Sequence, residues 1–171
     1  MKRIKSNWRI VCIFILSVSL LGGCATSATS VKGTSTTVNT LGGDSHNAIV
    51  LVDNMWEGAK IAKIEDNNYV LYANIITNGN AVPGSLIIYV DGNKNNLSSP
   101  NDWNIDDVSV SQYNTAKYWS TNTRLPELIL DSIRNSKNIK IRVVNGNAYM
   151  GVDEGLDLTS ILPLIKDFIA K

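Results

Sequence analysis

The sequence predicts an α+β fold, in which an antiparallel β-meander is followed by a helix, a β-hairpin and a C-terminal helix. Three observations predict this order. Short apolar or alternating segments, separated by turn residues, occupy most of the chain between positions 48 and 121. Helical spacing of apolar residues first begins at Leu125. A second helical stripe then ends the chain.

The first part contains five predicted strands. Residues 48–52 form a continuous apolar run, which is typical of a buried strand. Residues 107–113 alternate Val108 and Val110 with serines, as a half-buried antiparallel strand does. The other three predicted strands span residues 69–77, 85–90 and 117–121.

Turn residues separate these strands. Asn78-Gly79 is a strong turn signal, and the Asn- and Ser-rich segment 91–102 is predicted to be a long loop. Residues 56–64 stay ambiguous, because Gly58 weakens the prediction of either a helix or a strand.

The second part changes character. Leu125, Leu128, Ile129 and Ile133 follow helical spacing. Residues 139–143 then alternate apolar with basic side chains, and Asn145-Gly146 predicts a hairpin turn into a strand over 148–152. A last helix is expected from about Ser160, with its apolar stripe formed by Ile161, Leu164, Ile165 and Phe168.

The N-terminus has the layout of a secretory signal. Four basic residues, Lys2, Arg3, Lys5 and Arg9, precede an apolar run over residues 10–21. That run is far shorter than the ~20 residues that a helix needs to cross a bilayer. A retained transmembrane anchor is the less favoured alternative.

The apolar run ends in Leu21-Gly22-Gly23-Cys24, which resembles the lipobox of bacterial lipoproteins. The resemblance implies that Leu21, Gly22 and Gly23 are recognised by a signal peptidase that cuts before Cys24. It also implies that the Cys24 thiol receives a diacylglycerol, with a further acyl chain such as palmitate on the new N-terminus. Two or more acyl chains anchor a protein stably in a membrane. Ala25 follows, which favours the outer membrane if the organism has one.

The predicted organisation is therefore a signal peptide over 1–23, a lipidated Ser/Thr-rich tether over 24–45 and one globular domain over 46–171. After cleavage the chain keeps twelve basic residues against fifteen acidic ones, a net charge of about −3. No basic stripe remains to neutralise phosphates, so nucleic acid is not an expected partner. Cys12 leaves with the leader and Cys24 carries lipid, so no disulfide is expected.

The sequence offers little for catalysis, and we predict that the protein is not an enzyme. The only histidine, His46, lies at the junction of tether and domain without a clustered partner. Carboxylates of the kind that glycoside hydrolases use are present at Asp106-Asp107, Asp153-Glu154 and Asp157. Adjacent carboxylates near turns are more often solvated.

Two weaker patterns indicate ligand binding. Asp91, Asn93, Asn95, Ser99 and Asp102 place oxygen atoms at positions 1, 3, 5, 9 and 12 of a loop, which is the spacing of a calcium loop. The alternative is an ordinary connecting loop, because position 6 is Asn96 and position 12 lacks a bidentate glutamate. Trp103 is the tryptophan expected to be exposed for glycan contact, whereas Trp119 is expected in the core. Apart from weak calcium binding, no cofactor is expected.

The second half carries one further resemblance. Its matching pieces are Trp119-Ser120, an apolar helix over 128–133, the alternating strand 140–143 and Leu156-Asp157-Leu158. This pattern resembles small β-rich exported proteins linked to type VI secretion and invasion, and it implies no catalytic residues. The sequence thus predicts a lipid-anchored envelope protein that serves as a non-catalytic accessory or binding subunit. An extracytoplasmic carbohydrate-binding or carbohydrate-cleaving domain is the alternative.

Overall fold

A computed structural model describes residues 31–39, 44–110, 115–145 and 149–170. These residues form two antiparallel sheets and two short helices, an arrangement compatible with an α+β fold. The strands are β1 (Ser35–Asn39), β2 (Ser45–Asp53), β3 (Glu57–Glu65), β4 (Asn68–Asn78), β5 (Leu86–Val90), β6 (Asn93–Ser98), β7 (Asn104–Val110), β8 (Thr115–Arg124), β9 (Ile139–Val143) and β10 (Leu156–Asp157). The helices are α1 (Glu127–Asn135) and α2 (Leu162–Ile169), and short 3₁₀ turns span Pro100–Asp102, Tyr149–Gly151 and Thr159–Ile161.

The strands are shared between a six-stranded sheet of order β1-β2-β3-β4-β8-β7 and a four-stranded sheet of order β10-β9-β5-β6. The predicted strands at 48–52, 69–77, 85–90 and 117–121 are confirmed, and the ambiguous segment 56–64 is β3. The expectation of one continuous meander is wrong. After β4 the chain leaves to build β5 and β6 in the second sheet, and it then returns to place β8 beside β4.

The predicted tether is corrected where its last part is described. Ser35–Asn39 forms an edge strand paired with β2, and Val31 makes an isolated bridge with Val52. His46 lies opposite Val38 in this ladder. An edge strand can form with few apolar residues, because pairing satisfies its backbone along one side and threonine suits extended backbone. The ordered part of the protein therefore begins before position 46.

The predicted loop over 91–102 is also corrected. Asp91 and Gly92 have φ angles of 49° and 81°, and they form a two-residue turn that folds β6 back onto β5. Positive φ at both central residues is what a type I′ hairpin turn requires. The polar composition that suggested a loop fits an edge strand instead, because β6 is the outermost strand of its sheet.

The predicted hairpin between 139–143 and 148–152 is wrong in its second half. Strand β9 pairs with β5 and β10, and Tyr149–Gly151 is a 3₁₀ turn. Residues 146–148 lie outside the described part of the chain. Asn145 does adopt the positive φ of a turn, at 59°, so the turn chemistry was predicted correctly but not the strand that follows it.

The core lies between the two sheets and the helices. Along β4, the residues Tyr69, Leu71, Ala73, Ile75 and Thr77 are buried on one face. This inner face shares one hydrophobic cluster with β5, β9, α1 and α2. Hydrogen bonds connect the layers, since the hydroxyl groups of Thr121 and Thr123 donate to the carbonyl oxygens of Asp102 and Leu97. We call the opposite face of the six-stranded sheet the outer face.

The helices bury a narrower stripe than the spacing predicted. In α1 the buried residues are Ile129, Leu130 and Ile133, whereas Leu128 is 79% exposed. In α2 the buried residues are Leu162, Ile165 and Ile169, whereas Leu164 is half exposed. Over the described ranges, neither helix is long and apolar enough to cross a membrane.

Candidate functional site

The predicted lipidation residues lie outside the described part of the chain. Leu21, Gly22, Gly23 and Cys24 therefore stay predictions from the sequence. The first described residue is Val31, which is already hydrogen-bonded into the six-stranded sheet as a bridge to Val52.

The structure does not bring the five calcium-loop residues together. Asp91 lies at the hairpin turn, and β6 separates it from Ser99 and Asp102 by roughly 20 Å of extended chain. A calcium site instead needs its oxygen ligands within about 2.6 Å of one ion. Within the residues that the structure describes, no group of three His, Cys, Asp or Glu side chains could hold a metal ion.

The two charged members of that set have structural partners. The Asp91 carboxylate accepts hydrogen bonds from the backbone N–H groups of Lys137 and Asn138, at 2.8 and 2.9 Å. These two bonds lower the pKa of Asp91. The Asp102 carboxylate accepts the backbone N–H of Ser99 at 2.6 Å, which likewise lowers its pKa. Both carboxylates thus accept hydrogen bonds from turns. Asp91, Asn93 and Asn95 line one depression of about 380 Å³, but Ser99 and Asp102 are not part of its lining.

The expectation that Trp103 is exposed is wrong. It is only 6% exposed, and its indole N–H donates to the carbonyl oxygen of Gly84 at 2.8 Å. Trp119 is buried as expected, and its indole N–H donates to the Thr77 hydroxyl oxygen at 2.9 Å. Among the three tryptophans that the structure describes, Trp56 is the exposed one, at 40%.

The carboxylates considered for glycoside hydrolysis lie in two parts of the molecule, and Asp153 and Glu154 line one depression of about 220 Å³ together with Lys140. Asp153 forms an ion pair with Arg142 at 2.7 Å. Asp157 accepts the backbone N–H of Thr159, and its pKa is lowered by hydrogen bonds from the hydroxyl and the N–H of that residue. Asp106 accepts the hydroxyl of Ser120 at 2.9 Å, on the far edge of the six-stranded sheet.

An aromatic row crosses the outer face of the six-stranded sheet. The carbonyl oxygen of Trp56 accepts the N–H of Ile76 at 2.8 Å, and Ile76 lies opposite Tyr118 on the next strand. Tyr118 in turn lies opposite Asp107 on β7. Trp56 and Tyr118 are 40% and 36% exposed, and two strand spacings place them about 10 Å apart. Two large rings therefore share one open face.

A shallow depression adjoins this row. Gly58 lies on the outer face of β3, and Trp56 lies one residue before the start of this strand. The depression encloses about 230 Å³ and is lined by Thr36, Asp53, Gly58, Lys60 and Asn74, among other residues. A Cβ atom on Gly58 would lie 2.6 Å from the side-chain oxygen of Asn74. The absence of a side chain at position 58 thus lets the Asn74 amide lie across the floor.

The charges around the depression do not cancel. Asp53 pairs with Lys32, whose ammonium nitrogen lies 2.7 Å from the carboxylate. Lys60 is half-buried and makes no ion pair within the described ranges. The depression therefore presents one uncompensated positive charge beside an amide and a hydroxyl group.

Strand β7 forms an exposed edge at the end of the aromatic row. All seven of its residues are exposed, and the half-buried strand predicted over 107–113 is wrong for its described part. Three apolar side chains, those of Ile105, Val108 and Val110, are 51%, 45% and 74% exposed. A register shift between Ile105 and Asp107 marks a bulge in this edge.

No protein-family model matches the chain, and neither a curated protein nor a solved structure matches it. Any functional argument therefore depends on the residues themselves. Sequence reasoning missed the outer face because it ranked single tryptophans rather than strand faces. The available signal was Gly58 within the alternating segment Trp56-Glu57-Gly58-Ala59-Lys60, which places Gly58 and Lys60 on one face of a strand that begins just after Trp56.

Proposed function

We propose that this protein is a lipid-anchored, non-catalytic accessory or binding subunit of a protein complex at the bacterial cell envelope. Its membrane partner is the bilayer that holds the lipid on Cys24, and this bilayer is the outer membrane if the organism has one. The observation that carries the proposal is β7, an edge strand that leaves three apolar side chains in solvent. Long exposed edges of this kind are surfaces onto which a strand of another chain can add.

The charge on this edge favours a different protein over a second copy. Asp107 lies near the middle of β7, so antiparallel pairing of two β7 strands would place like charges close together. The bulge between Ile105 and Asp107 also disfavours regular pairing of two identical edges. An extended segment with apolar residues and a central basic residue would complement Ile105, Val108 and Asp107 instead.

The proposed anchor would keep the folded part of the protein near the membrane. Six residues separate Cys24 from Val31, and a fully extended chain of that length spans at most about 25 Å. A partner of the folded part is therefore expected within the same envelope layer. Mass spectrometry of the processed N-terminus tests the anchor. An unmodified Cys24 thiol would contradict it.

The partner is tested by crosslinking and pull-down from intact membranes with the lipidated protein. We expect a defined complex with wild-type protein and its loss when Val108 and Val110 are both replaced by lysine. Leu128→Lys is the matched control, because Leu128 is also an exposed apolar residue but lies on α1. Equal capture by all three proteins, or a lone monomer in every condition, would contradict the proposal.

A carbohydrate-binding domain is the second candidate function. The pair formed by Trp56 and Tyr118 on the outer face favours it, because exposed aromatic rings on a flat surface can stack on sugar rings. A glycan array probed with wild-type protein and with Trp56→Ala tests this candidate. We expect hits that weaken in the variant, and an array without hits would remove the candidate.

A further inference from the structure

We propose that the depression at Gly58 binds a sugar that carries a carboxylate, such as a uronic acid. The sugar ring would stack on Trp56 and its carboxylate would pair with Lys60. This inference rests on the second candidate function, carbohydrate binding, and adds the class of sugar.

The first argument is the spacing along β3. Gly58 and Lys60 occupy alternate positions of β3, so they face the same side about 7 Å apart. Trp56 lies one residue before this strand, and its carbonyl oxygen accepts the N–H of Ile76 on β4. A single six-membered ring above Gly58 would therefore reach the indole on one side and the ammonium group on the other. Gly58 itself contributes no side chain that would hold the ring away from the sheet.

The second argument is charge. The Lys60 ammonium group makes no ion pair in the described part of the molecule, whereas the nearby Asp53 carboxylate is already paired with Lys32. Glu65 also lies on this face, five residues along β3 from Lys60 and about 16 Å away. The carboxylate of Asp107 lies three strands from β3, about 14 Å away. Both distances exceed the screening length of about 8 Å at physiological salt, so neither carboxylate offsets Lys60.

The third argument is the polar lining. Asn74 provides an amide with both donor and acceptor atoms, and Thr36 provides a hydroxyl group. These groups suit the hydroxyl groups of a sugar and do not suit a purely apolar ligand. A cation and neutral hydrogen-bonding groups thus line one depression of about 230 Å³, and Trp56 precedes the lining residue Gly58 by two positions.

The test compares two ligands that differ in charge and in one methyl group on each carboxylate. Full-length lipidated protein in detergent is titrated by calorimetry with trigalacturonate and with the methyl ester of the same trisaccharide. We expect the acid to bind about tenfold more tightly than the ester, as one charge-assisted contact allows. We also expect this preference to shrink as salt is raised, because the contact is half exposed to solvent.

Three variants assign the contacts. Lys60→Gln should abolish the preference for the acid, so that acid and ester bind with equal affinity, and urea denaturation shows whether the variant is folded. Gly58→Ala should weaken the binding of both ligands, because the new methyl group displaces the Asn74 side chain. Lys94→Gln is the control, since Lys94 is an exposed lysine on β6 of the other sheet, and it should behave as wild type.

The outcomes separate the inference from the function on which it rests. Equal affinity for acid and ester overturns the carboxylate inference and leaves carbohydrate binding in place. An unchanged preference in Lys60→Gln overturns it as well. Binding of neither ligand, together with an empty glycan array, overturns both proposals.

Discussion

The two faces of the six-stranded sheet are built by the same strands and differ in burial along β4, although Val38, Ala48 and Ala62 form a small buried cluster on the outer face. On β4, Tyr69, Leu71 and Ile75 point inward and are at most 3% exposed. Their neighbours Tyr72 and Asn74 point outward and are half-buried or exposed. Because side chains alternate along a strand, one short segment supplies both the core and an open surface.

The comparison shows that residues important for stability lie on the inner face, whereas residues available for binding lie on the outer face. Inner-face residues contact β5, β9 and both helices, so their substitution removes packing. Outer-face residues such as Asn74 and Tyr118 have few neighbours above them, so substitution there should cost little stability. Aromatic and charged groups can therefore be present on the outer face without a large loss of stability.

The largest expected effect is at the centre of the inner face. Leu71→Ala should lower the free energy of unfolding by about 2–5 kcal/mol, because it leaves a cavity at a residue that is fully buried. Asn74→Thr, on the outer face of the same strand, is the control and should change it by less than about 0.5 kcal/mol. Urea denaturation measures both. Equal losses would contradict the division between the faces.

A smaller effect is expected where the inner face buries a polar contact. Thr77→Val should lower the free energy of unfolding by about 1–3 kcal/mol, because the indole N–H of Trp119 loses its acceptor. Adding Trp119→Phe to this variant should cost less than the sum of the two single changes. Strict additivity in the double-mutant cycle would show that the hydrogen bond contributes nothing.

At low pH, the loss of stability should come from the turn at Asp91 rather than from either face of the six-stranded sheet. The hydrogen bonds to Asp91 lower its folded-state pKa, so the stabilisation is present above the unfolded value of about 3.9 and is lost as pH falls through the folded pKa. Asp91→Asn should therefore show a smaller drop in melting temperature between pH 7 and pH 3 than wild type. Leu71→Ala should keep the wild-type drop. If the melting temperature of Asp91→Asn falls as much as that of wild type between pH 7 and pH 3, this explanation is contradicted.

The smallest expected effect on stability is at the aromatic row. Tyr118→Thr removes an exposed ring and keeps a residue that suits a strand, so the free energy of unfolding should stay within about 0.5 kcal/mol of wild type. The same substitution should weaken any binding detected on the glycan array. A large loss of stability would mean that the outer face is packed, which would remove the basis of both the row and the depression.

Much of the local structure could be predicted, and the errors have a common cause. The alternation in 69–77 and the apolar run in 48–52 identify strands because burial on one or both faces leaves a pattern in the sequence. The edge strands β1 and β6 were missed because their stability comes from backbone pairing, which leaves little compositional trace. Strand β7 was found, but its exposure depends on its being the last strand of the sheet.

The candidate sites also differ in whether they depend on a contiguous motif or on contacts between distant segments. The lipobox at Leu21-Gly22-Gly23-Cys24 is contiguous, so the sequence alone carries that prediction. Trp103 and Trp56 cannot be ranked for exposure from composition, because burial depends on which distant strands cover each indole. The structure buries Trp103 against the Gly84 carbonyl and leaves Trp56 open.

By itself, the sequence carried the prediction of an export signal, and it determined the strand periods and the turn at Asn145, because each depends on neighbours within a few positions. Only the tertiary structure decided which strands lie at an edge, which face of the large sheet is covered, and that Gly58, Lys60 and Asn74 adjoin one depression. These properties arise from pairing between segments far apart in the chain. Such pairing is set by the packing of the whole core, and no local pattern of residues encodes it.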